Sequence, residues 1–428
     1  MIDLASLIDE VRETGTVIEE GGGGGHIDHL YQDGKLTFGE MKQIFNDVFQ
    51  GKVVLLEKID GQNLMVTYKD GGFRFARNKS TLRDPMDMSR LERYFDGNPK
   101  VREAYVTSAN NLVKALNTIQ GQDLARVFRN GQNYANIEIV YPPVKNVLDY
   151  GNRCFLQING VDCFDGKFNR IKSDEEASKW LYETLKSNDA LKQEMFEITE
   201  PNILRMKNSV NAKKALETLM EDFNRLIDGY SLKTSIQDYA NDRLKRYIYN
   251  VCNKNNLEVE PDCQFVKELA DRLNNASRRR PTKADIGCFA KRDGINVHGD
   301  DYLKTIQYLD ETRDEMNEEI MRPIETIVMK AGNLLLKNLS GFMAADPQKT
   351  SQKLVQKLEE TISAIEADSS HITSDKLKAF RRNMRKIEEW KDRYMPSEGC
   401  VIKLPGGKCY KVVGSFGACN QIMHLLDK

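Results

Sequence analysis

Strand-patterned sequence stands on both sides of a long helical stretch, and this ordering constrains the fold more than any other feature of the chain. Residues 52–80 and 133–168 carry apolar runs of strand length separated by turn signals. Val53-Val54-Leu55-Leu56 is a buried run, and Leu64, Val66 and Tyr68 alternate with smaller or polar residues. Asp70-Gly71-Gly72 then predicts a hairpin turn before Phe73-Arg74-Phe75. From about 170 to 392 the apolar period changes to three and four, as in Ala215, Leu216, Leu219, Met220, Phe223 and Leu226. Ser173 with Glu176, and Thr234 with Gln237, have capping-box spacing. Residues 398–416 return to a strand pattern around Pro405-Gly406-Gly407, and 417–427 read as a terminal helix. The order predicts one β-rich domain interrupted by an all-helical insertion, an α+β architecture. The expected divisions are 1–50, with helices and a glycine-rich loop; 51–168 plus 395–428, the β-rich core; and 169–394, the insertion. Pro323, inside the helical pattern from Asp301 to Leu339, is expected to kink or break it near Arg322.

Charge and composition exclude several classes. The 428 residues hold 63 Lys+Arg against 64 Asp+Glu, a formal net charge of −1, so a histone-like binder is excluded while local basic patches are not. No apolar run approaches the ~18 residues of a membrane span, so no membrane partner is expected. Met1-Ile2-Asp3-Leu4 does not read as a secretory signal. The eight cysteines form no Cys-x-x-Cys pair, which fits free thiols in a reducing cytoplasm.

The most informative segment is Glu57-Lys58-Ile59-Asp60-Gly61-Gln62-Asn63, a lysine before a glycine turn between two predicted strands. Lys-x-Asp-Gly alone also describes an ordinary surface turn. Three further segments sharpen it. Arg77 follows the next hairpin, Glu138 sits in the apolar strand Asn136-Ile137-Glu138-Ile139-Val140, and Glu398, Lys403 and Lys411 lie on the late hairpin. A lone carboxylate in an apolar run is costly to bury unless it has work to do.

Taken in this order, these segments resemble the covalent nucleotidyltransferases, the ATP-dependent DNA and RNA ligases and the mRNA capping enzymes. The resemblance covers about a third of the chain. It implies a nucleotidyltransferase core of antiparallel sheets, with Lys58 as the nucleophile and Lys403 and Lys411 as catalytic cations. Glu57, Asp60, Gly61, Asn63, Arg77, Glu138, Phe155 (or Phe164), Lys403 and Lys411 would bind the nucleotide. Glu138 and Glu398 would hold Mg²⁺ or Mn²⁺. Asn63, where DNA ligases and capping enzymes usually carry Arg, is similar to the RNA ligase 2 and editing-ligase branch. Two positions depart from the family: Ile137 stands where Gly usually precedes the acid, and Val413 stands where a second lysine usually follows Lys411, leaving Lys408 as another source of that charge.

The resemblance implies an ATP-dependent polynucleotide ligase, acting on RNA in preference to DNA through a lysyl-AMP intermediate. Two other readings stay open: adenylylation of a different acceptor, and a non-catalytic module of the same shape. The chemistry requires a lysine amine that can lose its proton, cations to lower its pKa and carry phosphate charge, and carboxylates for a hard metal ion.

Outside these segments, Gly21–Gly25 reads as a flexible linker and not as a phosphate loop, and His26 and His29 lack a third metal ligand nearby. With Leu36-Thr37-Phe38-Gly39, this stretch is similar to uncharacterised proteins of large tailed phages. Two basic clusters, Arg278-Arg279-Arg280 and Arg381, Arg382 and Arg385, read either as solvated faces or, beside a ligase core, as surfaces that track nucleic-acid phosphates. A protein partner for the insertion is the other expectation.

Overall fold

A computed structural model describes residues 27–423 except 145–147, 149, 169, 189–195, 208–209, 256–258, 261, 264, 268–269, 271–304, 306–307, 310–312, 343–346, 368–373, 389–397, 406 and 415. The predicted segment Gly21–His26 and the cluster Arg278–Arg280 lie outside the described residues. The chain forms two compact units. One comprises 1–28, 50–212 and 332–428; the other comprises 29–49 and 213–331.

Among the described residues the first unit holds eleven strands in two sheets: β1 (Val54–Lys58), β2 (Gln62–Lys69), β3 (Gly72–Ala76), β4 (Asn133–Val140), β5 (Phe155–Phe164), β6 (Arg170–Ser173), β7 (Glu197–Thr199), β8 (Ile203–Met206), β9 (Leu339–Ser340), β10 (Gly399–Lys403) and β11 (Cys409–Val412). One sheet runs β11-β10-β1-β8-β9. The other runs β3-β2-β4-β5-β6, with β7 added beside β5. Every pairing is antiparallel except β5 with β7. The late hairpin pairs with the first strand: Val54 to Lys58 lie in register with Lys403 to Gly399.

The second sheet is polar on one face and apolar on the other. Leu64, Val66, Ala135, Ile137, Ile139, Leu156 and Ile158 form a core with the helices Met88–Tyr94, Pro99–Leu116, Gly121–Phe128 and Glu175–Ser187. Strand alternation sends Asn63, Asn136, Glu138, Gln157 and Asp162 to the other side. Two smaller apolar clusters bracket that polar stripe. Met65, Ala76, Leu82, Tyr134 and Phe164 form one. Ile59, Val140, Leu148, Tyr150 and Phe155 form the other, with residues from the helices Pro347–Ala367, Ser374–Glu388 and Phe416–Met423.

The 169–394 segment is not all-helical. Arg170–Ser173, Glu197–Thr199, Ile203–Met206 and Leu339–Ser340 are strands of the two sheets. They are four residues long at most, too short for a period to register, and they are held by pairing with neighbours already in place. Accordingly, 169–212 and 332–394 fall in the sheet-bearing unit, and 29–49 falls with the helical one. In that second unit, Phe38 of the helix Phe38–Phe49 packs edge-on against Phe223, Tyr230 and Tyr239. Pro323 does not break its helix, which runs from Arg313 to Lys337. Buried Ile320, Ile324, Ile327 and Val328 on either side supply packing that offsets the ~3 kcal/mol an interior proline costs. Among the described residues no helix is long and apolar enough to cross a membrane.

Candidate functional site

Lys58 is the last residue of β1 and Gln62 the first of β2, so Ile59-Asp60-Gly61 carries the chain from one sheet into the other. The turn is held at its middle residue by two hydrogen bonds. The Asp60 amide donates to the Tyr150 hydroxyl at 2.8 Å, and its carboxylate accepts from the Leu148 amide at 2.9 Å. Burial, with the Asp60 charge beside it, pushes the Tyr150 hydroxyl well above its ordinary pKa, so it stays a neutral acceptor. Gly61 is required for space. A Cβ there would lie 2.7 Å from Glu138 Cγ and 2.8 Å from the Ile139 carbonyl oxygen. Glu138 therefore packs directly on the turn that follows Lys58.

The Lys58 ammonium is paired with Glu398, whose carboxylate is buried, and about a quarter of the lysine side chain remains exposed. Register places more of the predicted residues nearby. Lys58 pairs with Gly399, Leu56 with Val401, Val54 with Lys403, Val401 with Lys411, and Lys403 with Cys409. Cross-strand partners share a face, and residues two apart along a strand share it too. Lys58, Lys403 and Lys411 thus project from one face of the β11-β10-β1 sheet. Lys403 is half-exposed and bonded to Glu175 at 2.6 Å, at the start of the helix Glu175–Ser187. Lys411 is buried. Gly399, between the Lys58 and Val413 positions, leaves room for neither a side chain nor a shift, since a Cβ would meet the backbone of Val412 and Val413.

On the other sheet, Glu138 lies directly opposite Asn63 on β2 and Gln157 on β5. Asn63 donates to Asn136 Oδ1 at 2.7 Å. The two sheets approach at Cys409, whose thiol is pushed up by burial and opposed by the Arg170 and Lys403 charges.

Five predicted residues stand elsewhere. Glu57 alternates to the face opposite Lys58, where its buried carboxylate accepts from Asn202 Nδ2 at 2.9 Å. Phe155 is wholly buried in the apolar cluster, edge-on to Tyr150 and with the Arg153 guanidinium 5.2 Å from its ring, so it presents no face to a base. Phe164 sits edge-on to Tyr134. The Arg77 guanidinium lies 5.4 Å from the ring centres of both Phe95 and Tyr105, members of the core on the sheet's helix-covered face. Lys408 lies over the Tyr410 ring, and Tyr410 belongs to the face opposite Lys411.

Sequence reasoning missed Tyr150, Asn136, Gln157, Asp162 and Arg170. The signal for two of them, Asn136 and Gln157, was present: polar residues recur at alternate positions of otherwise apolar strands at Asn136 and Glu138, and again at Gln157 and Asn159. Of the basic clusters, Arg381 is exposed and Arg382 half-exposed, on the helix Ser374–Glu388, which also carries Arg385. Among the described residues no group of three or more His, Cys, Asp and Glu could hold a metal ion by itself. Comparison with models of known families, with curated proteins and with solved structures finds no match to this chain.

Proposed function

We propose that this protein is an ATP-dependent nucleotidyltransferase that adenylylates Lys58 and passes the AMP to a polynucleotide 5′-phosphate, with RNA the favoured substrate. The observation that carries this reading is the contact between Lys58 and Glu398 on a face shared with Lys403 and Lys411, joined by a glycine turn to Glu138.

The neutral Lys58 amine attacks the α-phosphorus of ATP. The N–P bond forms as the bond to the bridging oxygen breaks, and pyrophosphate leaves with that electron pair. A 5′-phosphate oxygen then takes the adenylyl group and frees the amine. The 3′-hydroxyl displaces AMP to form the phosphodiester, its proton passing to solvent. The Glu398 carboxylate aims the amine but also favours its ammonium form. Lys403 and Lys411 oppose that form and stabilise negative charge on the phosphates. The surface pair of Lys403 with Glu175 is easily exchanged for a phosphate, because exposed ion pairs contribute little. Glu138 and Glu398 fit a hard cation, which takes one or two carboxylates and completes its shell with phosphate and water. Mg²⁺ or Mn²⁺ held there would supply positive charge that draws Glu398 from Lys58 and lowers the barrier to losing the proton.

Incubation with α-labelled ATP and Mg²⁺, followed by denaturing gels and peptide mapping, tests the first step. The expected result is a single acid-labile label at Lys58, lost in Lys58→Ala. Label elsewhere, or none on protein stripped of bound AMP, refutes it. Sealing of nicked RNA and DNA duplexes then separates a ligase from an enzyme with another acceptor.

A further inference from the structure

A chain of side-chain amides runs across the polar face of the second sheet, and one carboxylate sets its direction. Asp162 accepts from Arg170 Nε and from the Ser173 hydroxyl, both at 2.8 Å. A carboxylate only accepts, so the group that Asn136 turns toward it, at 3.1 Å, is the Nδ2 donor. Asn136 Oδ1 then faces away from Asp162, where it accepts from Asn63 Nδ2 at 2.7 Å and from Asn159 Nδ2 at 3.4 Å. Asn159 must in turn present its oxygen to Gln157, whose Nε2 donates to it at 2.9 Å. Every donor points toward Asp162. The chain ends at Gln157 Oε1, which is buried and has no hydrogen-bond partner among the described residues.

The fold builds this chain by a β-bulge. The β4–β5 register shifts between Asn136, opposite Gly160, and Ile137, opposite Ile158, so Asn159 is an extra, exposed residue set beside Asn136. Gln157 lies directly across from Glu138, the carboxylate that packs on the Lys58 turn. An unsatisfied buried acceptor is costly, and four ordered side chains hold this one in place.

We infer that Gln157 Oε1 reads the base of the bound nucleotide by accepting a hydrogen bond from the exocyclic amine of adenine. The assignment rests on the proposed adenylylation at Lys58. A guanine would bring its 6-oxo group, an acceptor, against an acceptor that the relay prevents from turning over. A purine without the amine would leave Gln157 unpaired. A site built around a fixed polar group rejects analogues that fail to pair with it.

The test measures label at Lys58 from ATP, GTP and purine riboside triphosphate, which lacks the 6-amino group. Wild type should label from ATP about tenfold or more faster than from either analogue. In Gln157→Leu the preference should fall below about threefold, while Gln157→Glu, which keeps an acceptor, should retain it. Asp162→Asn, which frees the relay to reverse, should also erode the preference for ATP over GTP. A wild-type preference that persists unchanged in Gln157→Leu overturns the role of Gln157, as does a wild type that takes all three nucleotides equally. If Gln157→Leu labels from none of them, Asp162→Asn decides, and an unchanged preference there overturns the inference. Wild type that labels from no nucleotide refutes the parent proposal instead.

Discussion

Lys58 and Glu398, 340 residues apart in the chain, meet as an ion pair because β1 and β10 are antiparallel neighbours with Lys58 opposite Gly399. Glu398 immediately precedes that glycine, and its carboxylate folds onto the lysine from a buried position. The pair holds the strongest nucleophile candidate against its acid without committing it, since part of Lys58 still reaches solvent.

Replacing Glu398 separates chemistry from folding. Glu398→Gln should lower the rate of Lys58 labelling by about a hundredfold, as expected when a positioned charge is removed from a reacting centre. Its effect on stability should be near 1 kcal/mol, because the partly exposed lysine regains water. Urea unfolding run beside the labelling assay measures both.

Gly61→Ala places a methyl group against Glu138 and the Ile139 carbonyl. The expected cost is about 1–3 kcal/mol, as for other overpacked sites. Thermal unfolding should show the loss, and labelling should fall further than stability does because Glu138 is displaced.

Two neighbouring lysines should behave oppositely. Lys411 shares a face with Lys58, and Lys408 lies over Tyr410, which belongs to the opposite one. Lys411→Ala should cut labelling by about tenfold or more, and Lys408→Ala should leave it near wild type. A larger effect at Lys408 would reverse the assignment.

Alkaline pH should unfold the protein through its buried thiols. Burial pushes Cys400 and Cys252 up to about 12, from 9.0 for an unperturbed thiol. Between those values the folded form keeps protons that the unfolded form has lost. The stabilisation is therefore complete below pH ~9 and disappears as pH rises toward ~12, each thiol contributing on the order of a few kcal/mol. Denaturant midpoints taken across that window should fall with pH, and Cys400→Ala should flatten the slope.

Charge reversal at Arg381, Arg382 and Arg385 should leave labelling of Lys58 unchanged, weaken nucleic-acid binding and reduce its salt dependence, because fewer counterions are released. Arg278, Arg279 and Arg280 should act in the same way. Binding isotherms at several salt concentrations report the slope, and an unchanged slope would make both clusters solvated faces.

What the amino-acid sequence determined by itself is the set of reactive groups and the elements that carry them. An apolar run or alternation of at least five residues marks β1 to β5 and β10, the Pro405-Gly406-Gly407 turn places β11 after them, and the glycine turn after Lys58 is visible from its residue types alone. Tertiary structure decided the rest. Arg170–Ser173 and Ile203–Met206 become strands only because long-range partners hydrogen-bond them; four residues carry too little pattern to read. Phe155 and Arg77 carry side chains suited to a nucleotide, yet both are committed to rings and core that only the packed sheet brings to them. Gln157 owes its unpaired oxygen to a bulge that seats Asn159 beside Asn136 and to a carboxylate five residues on. That polarity exists only when five side chains from three strands are in register, and register is a property of the folded sheet.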